Sequence, residues 1–233
     1  MLLRRRDGGG RLATMTARPD LLAGEDLPRQ PRQGRSLDKR RRLKAAALAL
    51  FGEKGYGSTS IEEIASRANL AVGGFYQHFR SKRQLLLVLM DELLEKLSQM
   101  DLQPKGAGNI REGLHSFLSR AFATDLAFLG AYRAWREASL TDAGLAAKQG
   151  EIQAWTTARV TLAFTLLQQL PGARPDVDVA GLAGVMDSFF WSLLAQAARL
   201  PVDELDRRIA AATHLIYHAI FSDAVSKTET EQT

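Results

Sequence analysis

The spacing of apolar residues along this chain predicts a protein built from helices. From Asp38 onward, Leu43, Ala47 and Phe51 fall on one helix face, and glycines at positions 55 and 57 end this first helix. The same spacing predicts later helices at roughly 110–128, 130–139, 143–170, 179–199 and 203–222. No segment shows the strict apolar and polar alternation of a strand, so the sequence predicts an all-α fold.

Capping patterns between residues 57 and 100 predict two short helices followed by a long one. Two overlapping capping boxes, Thr59 with Glu62 and Ser60 with Glu63, lie in the run TSIEE at 59–63 and begin the second helix. After a four-residue turn, two phenylalanines four residues apart mark the buried side of a third helix, and Ser81 caps the long fourth helix. Two short helices joined in this way form a helix-turn-helix unit, whose second helix enters the major groove of DNA.

The third helix lies in an aromatic and basic run, GGFYQHFRSK, at residues 73–82. With both phenylalanines turned inward, the helical spacing leaves Gly73, Gly74 and Tyr76 facing outward, with Val72 beside them. A glycine in a helix costs up to roughly 1 kcal/mol relative to alanine. Close approach of the backbone to a ligand is one reason for two glycines, and an irregular helix start is the other.

Charge is distributed unevenly along the chain, although the net charge is +5. Residues 1–83 hold 18 Lys and Arg against 8 Asp and Glu, whereas residues 84–233 hold 13 against 18. This asymmetry favours nucleic acid as a partner of the first part. Lys39, Arg40 and two more arginines also occupy the first turn of the predicted first helix, where the helix dipole disfavours each cation by about 0.3–1 kcal/mol. Either an anion binds there or these side chains are solvated.

Composition bears on the class of protein and on its compartment. The chain has no cysteine, which excludes disulfides and cysteine metal sites, and no uninterrupted apolar segment approaches the roughly 20 residues of a membrane span. The opening MLLRRRDGGG lacks the apolar region of a secretory signal, so we expect a soluble, cytoplasmic protein. Residues 1–35, rich in Gly, Pro and Arg, are expected to form a disordered basic arm, either a solvated tail or a source of phosphate attraction.

The segment from Arg40 to Leu87 resembles the amino-terminal domain of TetR/AcrR-type transcriptional repressors. The resemblance covers about a fifth of the chain and is carried by Ala45, Phe51, Gly55, Tyr56, Thr59, Ser60, Ile61, Ile64, Ala65, Ala68, Gly73, Phe75, Tyr76, His78, Phe79, Lys82 and Leu85. It implies an all-α homodimer with a three-helix DNA-binding head at 36–96. A long helix would join the head to a helical ligand-binding and dimerisation body at 97–233.

The resemblance also implies roles for individual residues of the head. Phosphate contacts are implied for Thr59, Tyr76, His78 and Lys82, and an approach to base edges is implied for Val72, Gly73 and Gly74. Lys39, Arg40 and Ser60 complete the predicted DNA-binding set.

Three positions depart from the usual pattern of this family. Ala71 replaces a capping Ser or Thr, Val72 replaces a polar or cationic residue, and Gly74 replaces Thr or Ser. We therefore expect few contacts to bases, with Val72 packed on a thymine methyl group and the remaining discrimination supplied by DNA shape.

The predicted body is rich in aromatic residues and ends in two helices with wide apolar faces. In an arbitrary helical domain such aromatics are plain core, whereas the resemblance favours a cavity for a small hydrophobic or aromatic effector. The residues predicted to bind it are Phe128, Tyr132, Trp135, Arg136, Gln153, Trp155, Asp187, Phe190 and Trp191. The resemblance further implies that the last two helices form the dimer interface.

The expected function is a repressor that a small molecule releases from a palindromic operator. An activator or a regulator controlled by a protein partner would have the same head, and a membrane-surface protein is a more distant alternative. His214 and His218 are four residues apart but lack an HExxH motif and a nearby carboxylate, so no metal site is predicted. The sequence carries no P-loop, dinucleotide fingerprint or G-x-S-x-G motif, and we expect neither a cofactor nor enzyme activity.

Overall fold

A computed structural model describes residues 17–28, 34–102, 109–197 and 199–221 of the chain. Over these residues the secondary structure is helical, apart from an isolated β-bridge between Ala173 and Phe221. The described helices are α1 (Gly34–Lys54), α2 (Ile61–Arg67), α3 (Val72–Tyr76), α4 (Lys82–Ser98), α5 (Ile110–Leu126), α6 (Leu129–Ala138), α7 (Ala143–Gln168), α8 (Val179–Gln196) and α9 (Val202–Ile220). The all-α prediction is confirmed, and the predicted ends of α5 to α9 agree with the observed ends to within three residues.

The chain divides into two compact units. Among the described residues, the head unit comprises 20–99 together with 123–150, and the body unit comprises 17–19, 100–122 and 151–221. The division differs from the predicted boundary at residue 97, because α6 packs along α1 and α4 within the head unit. Glycines allow α1 and α6 to pack closely, since a Cβ atom at Gly130 would lie 2.0 Å from the carbonyl oxygen of Leu48.

Local capping determines where α2 begins in the head unit. The Ser60 hydroxyl accepts a hydrogen bond from the Glu63 backbone N–H at 3.2 Å, and the Glu63 carboxylate accepts one from the Ser60 N–H at 2.8 Å. Of the two overlapping capping boxes that the sequence predicts, this one forms. Thr59 instead donates its hydroxyl to the carbonyl of Gly55 at 2.6 Å, and its side chain is buried.

Residues 17–28 form an ordered segment of the chain, which corrects the prediction of disorder over 1–35. A turn at 21–24 places Leu21 in the core, where it is fully buried. The Asp26 carbonyl accepts hydrogen bonds from Arg80 at 2.8 Å and from Gln84 at 3.0 Å. A buried leucine and hydrogen-bonded polar groups stabilise this segment. They offset the entropy cost of ordering it, which the composition predicted to be the larger effect. Residues 1–16 and 29–33 of the predicted arm lie outside the described residues.

The body unit buries one carboxylate and exposes apolar side chains on two helices. Asp187 on α8 is buried, and one of its oxygens accepts a hydrogen bond from the Thr157 hydroxyl at 3.0 Å. Burial raises the pKa of this carboxyl, while hydrogen bonds from threonine side chains and Trp191 act in the opposite direction. Val185 on α8 and Leu215 on α9 remain 67% and 63% exposed in the single chain.

Candidate nucleic-acid interface

Helix α3 presents a small exposed surface of the kind that its sequence predicts. The helix is five residues long, and Ala71 at its amino terminus provides no side-chain cap, as the departure from the family pattern predicts. Val72 is 36% exposed and Tyr76 is 51% exposed, whereas Phe75 between them is fully buried. A Cβ atom at Gly73 would find no neighbour within 4 Å, so the α3 backbone is open to a ligand there.

Arg40 and His78, both predicted to contact DNA, are engaged with each other in the head unit. The Arg40 guanidinium donates to the His78 carbonyl at 2.9 Å and lies 4.4 Å from the centre of the Phe79 ring. Burial lowers the pKa of His78, and the charges of Arg40 and Lys39 lower it further. The imidazole is therefore neutral at pH 7, and neither of its buried ring nitrogens has a hydrogen-bond partner.

Lys82 and Thr59, also predicted to contact phosphates, meet at the loop between α1 and α2. The Lys82 ammonium donates to the carbonyls of Tyr56 and Thr59, each at 2.6 Å, and lies 4.3 Å from the centre of the Tyr56 ring. Burial lowers the pKa of this ammonium, whereas nearby glutamates raise it. In this structure the group holds a loop in place, and its contact with a DNA phosphate stays a prediction.

Two further cations of the head unit are Lys39, within α1, and Arg80, between α3 and α4. Lys39 is half-buried in the first part of α1. Arg80, which the sequence analysis did not select, follows α3 with a side chain 57% exposed and forms a 2.9 Å ion pair with Asp26. A signal for Arg80 was present in the sequence, since it lies in the same basic run as Tyr76. Its acidic partner comes from the segment that was expected to be disordered.

The structure distributes the predicted ligand-binding residues over both units. Three of them, Phe128, Tyr132 and Trp135, are buried in the head unit, where the Trp135 indole donates to Gln149 at 2.7 Å. Arg136 of the head unit and Gln153 of the body unit are exposed. The remaining four, Trp155, Asp187, Phe190 and Trp191, lie in the body unit, where Trp155 and Asp187 are buried and the other two are half-buried.

The body unit contains a small apolar cavity of about 20 Å³. Its lining consists of Leu102, Leu114, Phe117, Leu118, Ala163, Phe164 and Leu167, none of which the sequence analysis selected. The four-residue spacings within α5 and α7 identify a buried face, and they do not distinguish a core from a cavity. Within the described residues, no group of three or more His, Asp or Glu side chains is placed to hold a metal ion.

A sequence profile of bacterial regulatory proteins of the tetR family matches residues 43–89, from the middle of α1 into α4. The match covers about a fifth of the chain, and it shows that this segment is similar to the tetR family. The matched segment contains the capped α2, the exposed α3 and Lys82, and it agrees with the resemblance found from the residues. Members of this family are DNA-binding regulators rather than enzymes.

Curated relatives match about a third of this chain or less. The HTH-type transcriptional repressor KstR of Rhodococcus jostii is 33% identical over 69 residues, which are 30% of this chain and 32% of KstR. The HTH-type transcriptional activator FasR of Mycolicibacterium smegmatis is 35% identical over 74 residues, which are 32% of this chain and 31% of FasR. The matches to these and three further relatives span between 17 and 32% of the relatives' length.

Solved structures extend the similarity in fold beyond the amino-terminal part. The SmeT–triclosan complex superposes with a TM-score of 0.62 at 19% identity, and the match covers 80% of this chain and 93% of SmeT. At this identity the likeness shows a shared fold.

One described helix, α8, is long and apolar enough to cross a membrane by length and composition. Its 18 residues include a single ionisable side chain, Asp187, and 28% of the helix is buried within the chain. Core helices of soluble proteins pass the same test, so this finding is weak evidence for a membrane span.

Proposed function

We propose that this chain is a ligand-responsive transcriptional repressor that binds a palindromic operator as a homodimer in the cytoplasm. The observation that carries the proposal is the exposed face of α3, where Val72, Gly73 and Tyr76 stand on a head braced by internal contacts. A rigid support of this kind is what a recognition helix needs to hold its side chains in a major groove.

The apolar surface of α8 and α9 supports the dimer. Val185 and Leu215 are each more than 60% exposed in the single chain, and most of the apolar helix α8 lies outside the core. A second copy of the chain would cover this surface around a two-fold axis. The two α3 helices would then read half-sites one helical turn of DNA apart, about 34–36 Å.

The effector is a small hydrophobic or aromatic molecule that binds the body. The cavity between α5 and α7 is lined by apolar residues and includes Phe117 and Phe164. SmeT, whose fold is similar, has been solved in complex with triclosan. A ligand that binds more tightly to the conformation that cannot reach both half-sites would lower the affinity for DNA. The coupling free energy is reciprocal, so bound DNA would lower the affinity for the ligand by the same factor.

An activator is the second candidate function, because FasR, a relative of similar identity, is an activator. The head would act identically in both cases, and the difference would lie in the position of the operator. A reporter gene under the chain's own upstream region separates them, since deletion of the chain raises expression for a repressor and lowers it for an activator.

DNA binding is tested by fluorescence anisotropy on duplexes that tile the upstream region of the gene. We expect one duplex to bind, and Tyr76→Ala to weaken that binding about tenfold, because an anchoring contact in a groove is worth roughly 1–3 kcal/mol. Leu140→Ala is the matched control, since Leu140 is an exposed apolar residue outside α3. Failure of every duplex to bind, with retention of the protein on liposomes, would favour the membrane-surface alternative.

The dimer is tested by sedimentation of the full chain. The wild-type protein should sediment as a dimer, and Leu215→Glu should give monomers that bind the operator weakly, because a charge cannot be buried in an apolar interface without cost. A monomeric wild type would refute the two-fold arrangement.

A further inference from the structure

Glu137 on α6 binds the loop that precedes the helix-turn-helix. One carboxylate oxygen accepts a hydrogen bond from the Tyr56 N–H at 2.7 Å, and the other accepts one from the Gly57 N–H at 2.8 Å. Hydrogen bonds from backbone N–H groups to an ionised carboxylate are short and stronger than neutral ones. A side chain about 80 residues away in sequence therefore holds two consecutive amides of the α1–α2 loop.

Two glycines give the Glu137 carboxylate its space. A Cβ atom at Gly55 would lie 2.7 Å from one oxygen of Glu137, and a Cβ atom at Gly57 would lie 2.9 Å from the other. Gly55 has a φ of +87°, so a side chain there is strained whatever its neighbours are. Gly57 is not among the described glycines with positive φ, so the space taken by Glu137 is what opposes a side chain at this position.

The opposite side of the same loop is held by Lys82. Its ammonium binds the carbonyls of Tyr56 and Thr59, while Glu137 binds the N–H groups of Tyr56 and Gly57. The loop leads directly to Ser60, the cap of α2, and α2 in turn packs on α3. The position of α2, the first helix of the helix-turn-helix, thus depends on the Glu137 carboxylate and the Lys82 ammonium, which both bind the α1–α2 loop.

Helix α6 is itself held firmly against α1, so Glu137 has a rigid base. Gly130 on α6 lies in backbone contact with α1, and Arg133 donates a hydrogen bond to the carbonyl of Gly52. A displacement of α6 would therefore carry Glu137 and the two amides together.

We propose that Glu137 is a positioning residue for DNA recognition, which places the helix-turn-helix by binding the Tyr56 and Gly57 amides. The inference rests on the proposed DNA-binding function and adds to it a residue that does not contact DNA. Loss of the carboxylate should leave every residue of α3 in place, but it should allow the α1–α2 loop to move.

A double-mutant cycle between Gly57 and Glu137 tests the contact and its effect together. We expect Glu137→Ala to weaken operator binding roughly fivefold, which is within the range for a contact between coupled residues. Gly57→Ala should weaken binding to a similar extent in the wild-type background, because its methyl group would displace the carboxylate. In the Glu137→Ala background, Gly57→Ala should have almost no further effect, since the opposing oxygen is gone.

Gly55→Ala is the matched control for the cycle. It should impair binding in both backgrounds, because the positive φ of Gly55 is strained by any side chain even when Glu137 is absent. Glu137→Gln provides a milder variant, in which one amide oxygen can still accept one of the two N–H groups. Circular dichroism gives the melting midpoint of each variant, and operator binding is compared at temperatures below these midpoints.

The salt dependence of binding separates a positioning role from a phosphate effect. Because Glu137 acts through the loop, its variants should lower affinity without changing the slope of log affinity against log salt. Additive effects of Gly57→Ala and Glu137→Ala, or wild-type affinity for Glu137→Ala, would overturn the inference. If the wild-type protein binds no operator, the proposed function fails instead, and amide exchange at Tyr56 and Gly57 still reports whether the carboxylate protects these groups.

Discussion

Replacement of Lys82 by methionine distinguishes an internal structural role from a phosphate contact. Methionine retains an unbranched apolar side chain and removes the ammonium, which binds the carbonyls of Tyr56 and Thr59 at 2.6 Å each. Buried hydrogen bonds from charged donors contribute roughly 1.5–3 kcal/mol each, but Lys82 is half-buried, so we take about 1 kcal/mol for each carbonyl. The contact with the Tyr56 ring adds about 0.5 kcal/mol.

The total predicts a loss of about 2.5 kcal/mol in the free energy of unfolding. For a chain of this size, that loss lowers the melting midpoint by roughly 5–10 °C, which circular dichroism measures directly. Operator affinity should also fall, because the α1–α2 loop is no longer held, but the salt slope should be unchanged. Lys96→Met on the same helix removes the same charge at an exposed position and should change neither quantity.

The opposite result is equally well defined. A phosphate contact by Lys82, as the family resemblance implies, would lower the salt slope by about 0.9 and leave the melting midpoint nearly unchanged. That outcome would refute the structural role derived from the two carbonyl contacts.

Three further predictions concern the edges of the recognition surface. Asp26→Asn should raise operator affinity about twofold at low salt and steepen the salt slope by up to about 0.9, because Arg80 loses its ion-pair partner; an unchanged slope would contradict this. His78 has a lowered pKa, so it stabilises the fold fully above its unfolded pKa and loses that contribution as pH falls below about 6.5 through the folded value; urea unfolding of His78→Gln should lack this pH dependence. Substitution of deoxyuridine for each thymine in the operator removes one methyl group at a time, and we expect a two- to threefold loss at one position per half-site, which Val72→Ala should abolish. Equal affinity for every substituted duplex would remove Val72 from thymine recognition.

The helices of this chain could be predicted because their signals are local. The Ser60 capping box, the inward Phe75 and Phe79, and the glycines after α1 all act within a few residues of their own position. The exposed Val72, Gly73 and Tyr76 follow from the same periodicity, since an inward residue in a short helix determines which neighbours face outward.

Partners of charged side chains could not be predicted in the same way. Arg40, Lys82 and Glu137 look like surface residues in the sequence, and each binds backbone groups 23 to 81 residues away. Composition was similarly a poor guide to residues 17–28, where one buried leucine and the contacts of Asp26 order a segment that the composition of residues 1–35 predicted to be disordered.

The amino-acid sequence alone determined the all-α class, the positions of the helices and the composition of the exposed α3 face, because apolar periodicity and capping are short-range effects. The tertiary structure decided that α6 packs with the head and that Lys82 and Glu137 bind opposite sides of one loop. These contacts depend on how distant segments pack, and the close approach of α1 to α6 at Gly130 brings Glu137 within reach of the loop.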